Sequence, residues 1–228
     1  MRAPYRPNRP GRWTWAGGIF AVLLCSTFWP LPVVATGKEP VGQPTTQATT
    51  DVRIRGNPTA PITLIEYSDF TCGYCQKFFR ETWPRLQAKY VETGKLRFLY
   101  RDFPRAAQGP GLNAAVAARC AGDQGKYWPM HDRLYGGRLD LPEFQRHAAA
   151  IGLNLPGFTK CYEDGRHTDA IFKDKDEGTY LGFHGTPGFV LMLTRRASQE
   201  SPLLIPGAFP FDVFEEEIDR LLKLDGQP

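Results

Sequence analysis

Apolar positions change rhythm several times along this chain. Residues 13–34 form a nearly uncharged apolar stretch, and residues 36–50, TGKEPVGQPTTQATT, contain no large aromatic side chain. Ile62-Thr63-Leu64-Ile65-Glu66-Tyr67 is apolar on both faces of an extended chain and is bounded by Pro61 and Ser68-Asp69. That is the pattern of a strand in the middle of a covered sheet. Cys75, Phe78, Phe79, Trp83, Leu86 and Tyr90 then recur at helical spacing from about Cys72, with Pro84 predicting a kink and Gly94 a stop. Residues 96–100 read as the next strand. From Asp102 to about His184 the period is helical. Residues 114–118 predict a helix core, 127–131 open a second helix, and Pro142-Glu143 after Asp140 and Leu141 suits the first turn of a third. Residues 158–162 and 167–180 predict two more. Residues 188–193 have strand length, 194–201 a polar turn, and Leu203-Leu204-Ile205 pair back as a hairpin. Phe214, Ile218, Leu221 and Leu222 give a final amphipathic helix. The order β-α-β, helical block, β-β-α predicts an α/β protein whose mixed sheet carries an inserted helical subdomain. No internal repeat is visible.

Composition matters most at the N-terminus. The 228 residues include 28 Lys plus Arg against 24 Asp plus Glu, a formal charge of +4. Arg2, Arg6, Arg9 and Arg12 lie within residues 1–35, which contain no Lys, Asp or Glu, so the remainder is 24 basic against 24 acidic. A neutral body argues against nucleic acid as a partner. A content of 42% hydrophobic and 13% aromatic residues excludes a disordered chain. Arginines ahead of an apolar stretch read as a signal peptide over 1–35, with Val33 and Ala35 placed for a cut that leaves Thr36 as the mature N-terminus. The alternative is an uncleaved N-terminal anchor, because residues 17–34 approach the roughly 20 apolar residues that span a bilayer. Pro30 and Pro32 would break the end of such a helix, and Cys25 follows a large Leu24, which does not suit lipidation. Either way the positive end stays in the cytoplasm and the rest crosses the membrane. A periplasmic or extracytoplasmic protein is expected, tethered through a flexible linker at 36–50.

That compartment changes how the cysteines read. Without Cys25 there remain Cys72, Cys75, Cys120 and Cys161, an even number where disulfides persist. Cys72-Gly73-Tyr74-Cys75 stands between a buried strand and a helix. Thiols at this spacing can close a short disulfide, and the first faces unpaired N–H groups and the positive end of the helix dipole. Such thiols titrate at roughly 3.5–7.5 instead of the ~8.5 of a free cysteine. Cys72 is therefore the candidate attacking sulfur and Cys75, facing the core, the resolving one. The same motif is also half a zinc site. Its other ligands would have to be Cys120 and Cys161, isolated in sequence, so no metal is expected. His131, His147, His167 and His184 show no ligand spacing. Glu66 shares a strand face with Ile62 and Leu64, and an unpaired carboxylate buried there holds its proton to higher pH. The plainer alternative pairs Glu66 with a Lys or Arg at the strand end. Asp69 reads as a turn acceptor, and Thr186-Pro187, taken alone, as an ordinary trans proline entering a strand.

Strand, CxxC, helix, strand and then Thr-Pro entering a β-β-α unit resembles the thioredoxin superfamily. The helical insertion is similar to that of its DsbA-like branch of exported thiol–disulfide oxidoreductases. Three blocks carry the resemblance, in order, over about residues 52–224. They are Gly56-Asn57-Pro58 with Glu66-Tyr67-Ser68-Asp69-Phe70 and the CxxC; Ala121-Gly122-Asp123-Gln124-Gly125-Lys126-Tyr127-Trp128 with Met130-His131-Asp132; and Gly185-Thr186-Pro187. The resemblance implies a thioredoxin fold over 51–104 and 184–228 with a helical insertion over 105–183. It further implies Cys72, Cys75 and Glu66 as catalytic residues, with Glu66 exchanging a proton with Cys75. Gly73, Tyr74, Thr186 and Pro187 would line the substrate surface, around a cis bond at Thr186–Pro187 where an extended peptide can pair. A structural Cys120–Cys161 disulfide would brace the insertion. The redox-active disulfide then needs no cofactor. The implied partners are cysteine-containing exported proteins and a membrane protein that recycles the pair, and the implied state is a monomer.

Direction is the open point. Gly73-Tyr74 and Thr186 look like the isomerase members, whereas the strongest oxidases carry Pro-His and Val. Residues 36–51, however, are too short for the dimerisation domain those isomerases use. Disulfide-bond formation is the expectation, and an isomerase or reductase of the same compartment the alternative. A metal chaperone on a thioredoxin scaffold would call for a Met-rich segment or a nearby His, but the chain has only Met1, Met130 and Met192.

Overall fold

β2 (Ile62–Ser68) is buried at every position and lies mid-sheet. The computed structural model describes residues 51–195 and 201–226. The leader 1–35 with Cys25, the linker 36–50 and most of the turn at 194–201 lie outside the described residues. β3 (Leu96–Asp102) runs parallel to β2, with Ile62 opposite Leu96 and Ser68 opposite Asp102. β4 (Gly188–Leu193) pairs antiparallel on the other side of β2, and β5 (Leu203–Pro206) antiparallel beyond it. A short β1 (Ile54–Arg55) completes the order β1-β3-β2-β4-β5. Periodicity does not predict β1, because two residues have none. The ladder to β3 holds it, together with the Trp128 indole N–H, which donates to Ile54 O at 3.0 Å.

A helical run links β2 to β3. It consists of α1 (Gly73–Lys77), a π-helical turn (Phe78–Thr82), α2 (Trp83–Leu86) and a second π turn (Gln87–Val91). Pro84, where a kink is expected, falls within this alternation of α and π turns. Proline lacks the N–H that would bond the carbonyl four residues back and its ring crowds that carbonyl. The preceding π turn widens the ladder, Trp83 N–H bonding Phe78 O, so the helix passes through the proline.

This run and α8 (Phe211–Leu224) cover one face of the sheet, where Phe78 packs on Phe189 and Phe214 with centroids 4.6 and 5.6 Å away. Between β3 and β4 come α3 (Pro110–Gly122), α4 (Tyr127–Leu134), α5 (Leu141–Ala150), α6 (Leu155–Glu163) and α7 (Thr168–Tyr180). α5 and α6 start on side-chain caps: Asp140 accepts from Glu143 N–H at 3.1 Å and Asn154 from Gly157 N–H at 2.8 Å. Residues 114–118 of α3, four alanines and Val116, with Met130, Phe144 and Phe158 form the insertion's own core, into which Cys72 and Cys75 also reach. α7 covers the other face of the sheet, over Tyr67 and Phe103. The architecture is α/β, a mixed sheet with helices on both faces and a helical insertion. Among the described residues no helix is long and apolar enough to cross a membrane.

Candidate active site

Cys72 is the last extended residue before α1, with φ −78° and ψ 120°, and Cys75 lies one turn in, fully buried. Both are thiols. Cys72 Sγ lies 3.2 Å from Thr186 O, and the Thr186–Pro187 peptide is cis. The loop before β4 therefore faces the first sulfur of the motif. A hydrogen bond from the Cys75 thiol, with the N–H groups of Cys75 and Tyr74, outweighs partial burial and brings Cys72 down to about 5. Burial pushes the Cys75 thiol up, helped by the same hydrogen bond and by Glu66. One sulfur is held as thiolate and the other as thiol, the division that nucleophile and resolving thiol require.

Glu66 lies beneath this pair, 3% exposed. Burial pushes its carboxyl up to about 8, and the Cys72 charge adds to the rise. The plainer expectation of a Lys or Arg partner is corrected: the hydrogen bond comes from Ser68 Oγ, which donates to Oε1 at 2.7 Å. Ser68 Oγ is also 3.0 Å from Tyr135 OH, and Tyr135 OH is 3.1 Å from Tyr100 OH. Sequence reasoning missed Ser68 and Tyr135 as site residues. Strand alternation places Ser68 on Glu66's face and could have found it; nothing local marks Tyr135, which arrives just past α4.

At the surface, Gly73 and Tyr74 are exposed, Tyr74 at 69%. An open groove of about 490 Å³ runs past Cys72, Gly73 and Tyr74 between Lys77, Arg80, Glu81 and Arg105. A second, of about 360 Å³, is lined by Phe183, His184, Thr186, Pro187, Pro206 and Gly207, with His184 exposed. Asp69 is a turn acceptor: Oδ1 takes the Thr71 N–H and hydroxyl at 2.7 Å each, and Oδ2 the Arg105 N–H at 2.8 Å. Cys120 and Cys161 form a disulfide from α3 to α6 across 41 residues. His167 lies beside them, but both sulfurs are spent in the bond and His167 Nε2 meets Asp123 Oδ2 at 3.1 Å. His131 and His147 are buried and, among the described residues, belong to no ligand cluster.

The comparisons with known proteins agree with this fold. The thioredoxin family model matches residues 48–201. Wolbachia pipientis alpha-DsbA1 superposes with a TM-score of 0.67 at 31% identity, over 74% of this chain and 89% of that one. A thioredoxin-like oxidoreductase from Silicibacter pomeroyi gives 0.62 at 29% identity, over 75% and 91%. Among curated sequences, the Na(+)/H(+) antiporter NhaA 1 of Salinispora arenicola is 33% identical over 139 residues, 60% of this chain. The chain spans about a fifth, 21%, of that relative's length.

Proposed function

This chain belongs to the thioredoxin family as a DsbA-like thiol:disulfide oxidoreductase, and on that premise we propose that it makes disulfides in exported proteins outside the cytoplasm. In the disulfide form a substrate thiolate attacks Cys72 Sγ, the Cys72–Cys75 bond breaks, and Cys75 leaves. A second substrate thiolate attacks the substrate sulfur of the mixed disulfide, and Cys72 leaves as thiolate. Two electrons pass from substrate to enzyme, and a membrane redox partner takes them on. Gly73, Tyr74, Thr186 and Pro187 line the path of the substrate chain. Glu66, held up to about 8, gives Cys75 the proton it needs as a buried leaving group. The arginine-led apolar segment 1–35 supports export, and nothing in the proposal calls for a cofactor, a metal or a second copy of the chain.

One observation carries the direction. Cys72 is lowered to about 5 while Cys75 is raised. Stabilising the thiolate stabilises the dithiol form, and a stable dithiol makes its disulfide oxidising. Gly73-Tyr74 and Thr186 favour a second reading, an isomerase or reductase kept reduced by its membrane partner. Equilibration of the Cys72–Cys75 pair with glutathione tests both. A potential near about −120 mV supports the oxidase, one near about −180 mV the isomerase, and one near about −270 mV overturns the oxidase in favour of a reductase.

A further inference from the structure

The hydroxyl row beneath the redox pair is not used by the mechanism above. Ser68 Oγ, 1% exposed as a residue, has Glu66 Oε1 at 2.7 Å and Tyr135 OH at 3.0 Å, and Tyr100 OH stands 3.1 Å beyond Tyr135. We propose that Ser68 hands the proton between Cys75 and Glu66, and that Tyr135 is a positioning residue that orients the Ser68 hydroxyl for the transfer. The inference rests on the Glu66 reading and adds the route.

Counting donors makes the case. A serine hydroxyl has one hydrogen and two lone pairs. With Glu66 ionised and Cys75 a thiol, Ser68 donates to Glu66 and accepts from Tyr135, while Tyr100 donates to Tyr135. Its remaining lone pair is left free, because the one Cys75 S–H is given to Cys72, and a Ser68 hydrogen bond to Cys75 favours the thiolate there. With Glu66 protonated and Cys75 newly released as thiolate, the carboxyl donates to Ser68 and Ser68 donates to sulfur. Tyr135 still occupies the third position. Ser68 is satisfied in both states, and the two differ by two proton hops through its hydroxyl, a net transfer of one proton from Glu66 to Cys75. The carboxyl O–H breaks as a new Ser68 O–H forms, the original Ser68 O–H breaks as the Cys75 S–H forms, and no electron moves in this step. Tyr135 thus gives the insertion a part in the chemistry of the sheet.

The titratable groups facing Glu66 are Cys72 and Cys75 from the redox motif, Tyr100 from β3 and Tyr135 from the insertion. β4 contributes Phe189 opposite Glu66 in the ladder. Stopped-flow reduction of the oxidised protein by excess dithiothreitol, from pH 5 to 10, reads the step after the ionisation of the reductant is divided out. In the unaltered protein the rate carries an inflection from Glu66. Ser68→Ala is expected to slow the reaction at pH 7 by at least about tenfold and to remove that inflection. Glu66→Gln should do the same, the double variant should be no slower than either single, and Ser68→Thr should restore the inflection. Tyr135→Phe, one oxygen smaller, should slow the step about fivefold and leave the inflection in place. If Glu66→Gln loses the inflection but Ser68→Ala keeps both rate and inflection, Glu66 acts directly and the Ser68 route is wrong. If neither variant changes the profile, the Glu66 reading falls with it. An unchanged rate in Tyr135→Phe removes the positioning role.

Discussion

At the scale of single residues, Cys72 and Glu66 are shifted in opposite directions, and the two have opposite consequences for stability. Cys72 titrates lower in the folded dithiol protein than in the unfolded chain, about 5 against the ordinary 9.0. Its contribution is complete above the unfolded value and is lost as pH falls through about 5. Glu66 is raised from 4.5 to about 8, so folding retains a proton that the unfolded chain releases, and stability drops as pH rises between those values. Denaturant titration of the reduced protein at pH 5, 7 and 9 checks the sign. Glu66→Gln should match the unaltered protein near pH 5 and gain on the order of 3 kcal/mol by pH 9. A gain that is the same at all three pH values would mean that burial does not hold the proton on Glu66. The thiolate absorbance of Cys72 should titrate near 5 and move up in Cys75→Ala, because the Cys75 hydrogen bond is the first cause of the lowering. The Cys72–Cys75 pair and the burial of Glu66 were legible in sequence from residue type, spacing and one strand's alternation, whereas proton exchange by Glu66 was implied by the family resemblance. Tyr135 was not legible, because its value lies in where α4 packs, 67 residues along the chain from Ser68.

At the scale of elements, β2, β3 and β4 and the helices α3 to α8 follow from runs long enough to show a period. β1 is two residues long and has none. The π turns escaped for another reason: apolar spacing shows which side of a helix is buried, but not which carbonyl each N–H finds. Close approach of backbones is equally silent in a hydrophobic pattern, and Gly178 of α7 is the example. A Cβ there would stand 2.7 Å from Tyr67 Cδ1 and 2.9 Å from Phe103 Cδ2 and Cε2. Helix propensity alone favours alanine by about 1 kcal/mol. The clash is with two buried rings, Tyr67 of β2 and Phe103 just past β3, 0% and 6% exposed. Overpacking of this kind costs about 1–3 kcal/mol. Gly178→Ala should therefore lower stability by about 1–2 kcal/mol, read as a shift in the denaturation midpoint without a change of slope. A rise in stability would mean that α7 can move off the sheet without loss.

At the scale of the whole molecule, a buried ionic network joins the insertion to the sheet. Arg119 of α3 donates to Asp102 at the end of β3 and to Asp174 of α7, both at 2.6 Å. Arg53, just ahead of β1, bonds Asp174 and Asp51, and Arg101 of β3 reaches Asp51 at 2.9 Å. No local pattern shows this, since the groups come from distant segments and only the fold brings them together. Burial pushes the Asp102 carboxyl up even with Arg119 beside it, and its Oδ1 has no partner among the described residues. Arg119→Met should consequently cost about 3–5 kcal/mol, most of it from leaving Asp102 buried and unpaired. If charge is the cause, adding Asp102→Leu should recover part of the loss, because Arg53 still faces Asp174 once the Asp102 charge is gone. Equal instability of the single and double variants would assign the loss to packing around the Arg119 stem instead. The network also bears on catalysis. α4 packs on α3, and Tyr135 follows directly on α4, so loosening α3 from β3 should weaken the Tyr135–Ser68 contact. Arg119→Met should then slow reduction of the disulfide form about as much as Tyr135→Phe does, while leaving the Cys72 titration near 5. Amide exchange that rises in α3 and α7 but not in β2 would locate the loosened contact at the seam between insertion and sheet.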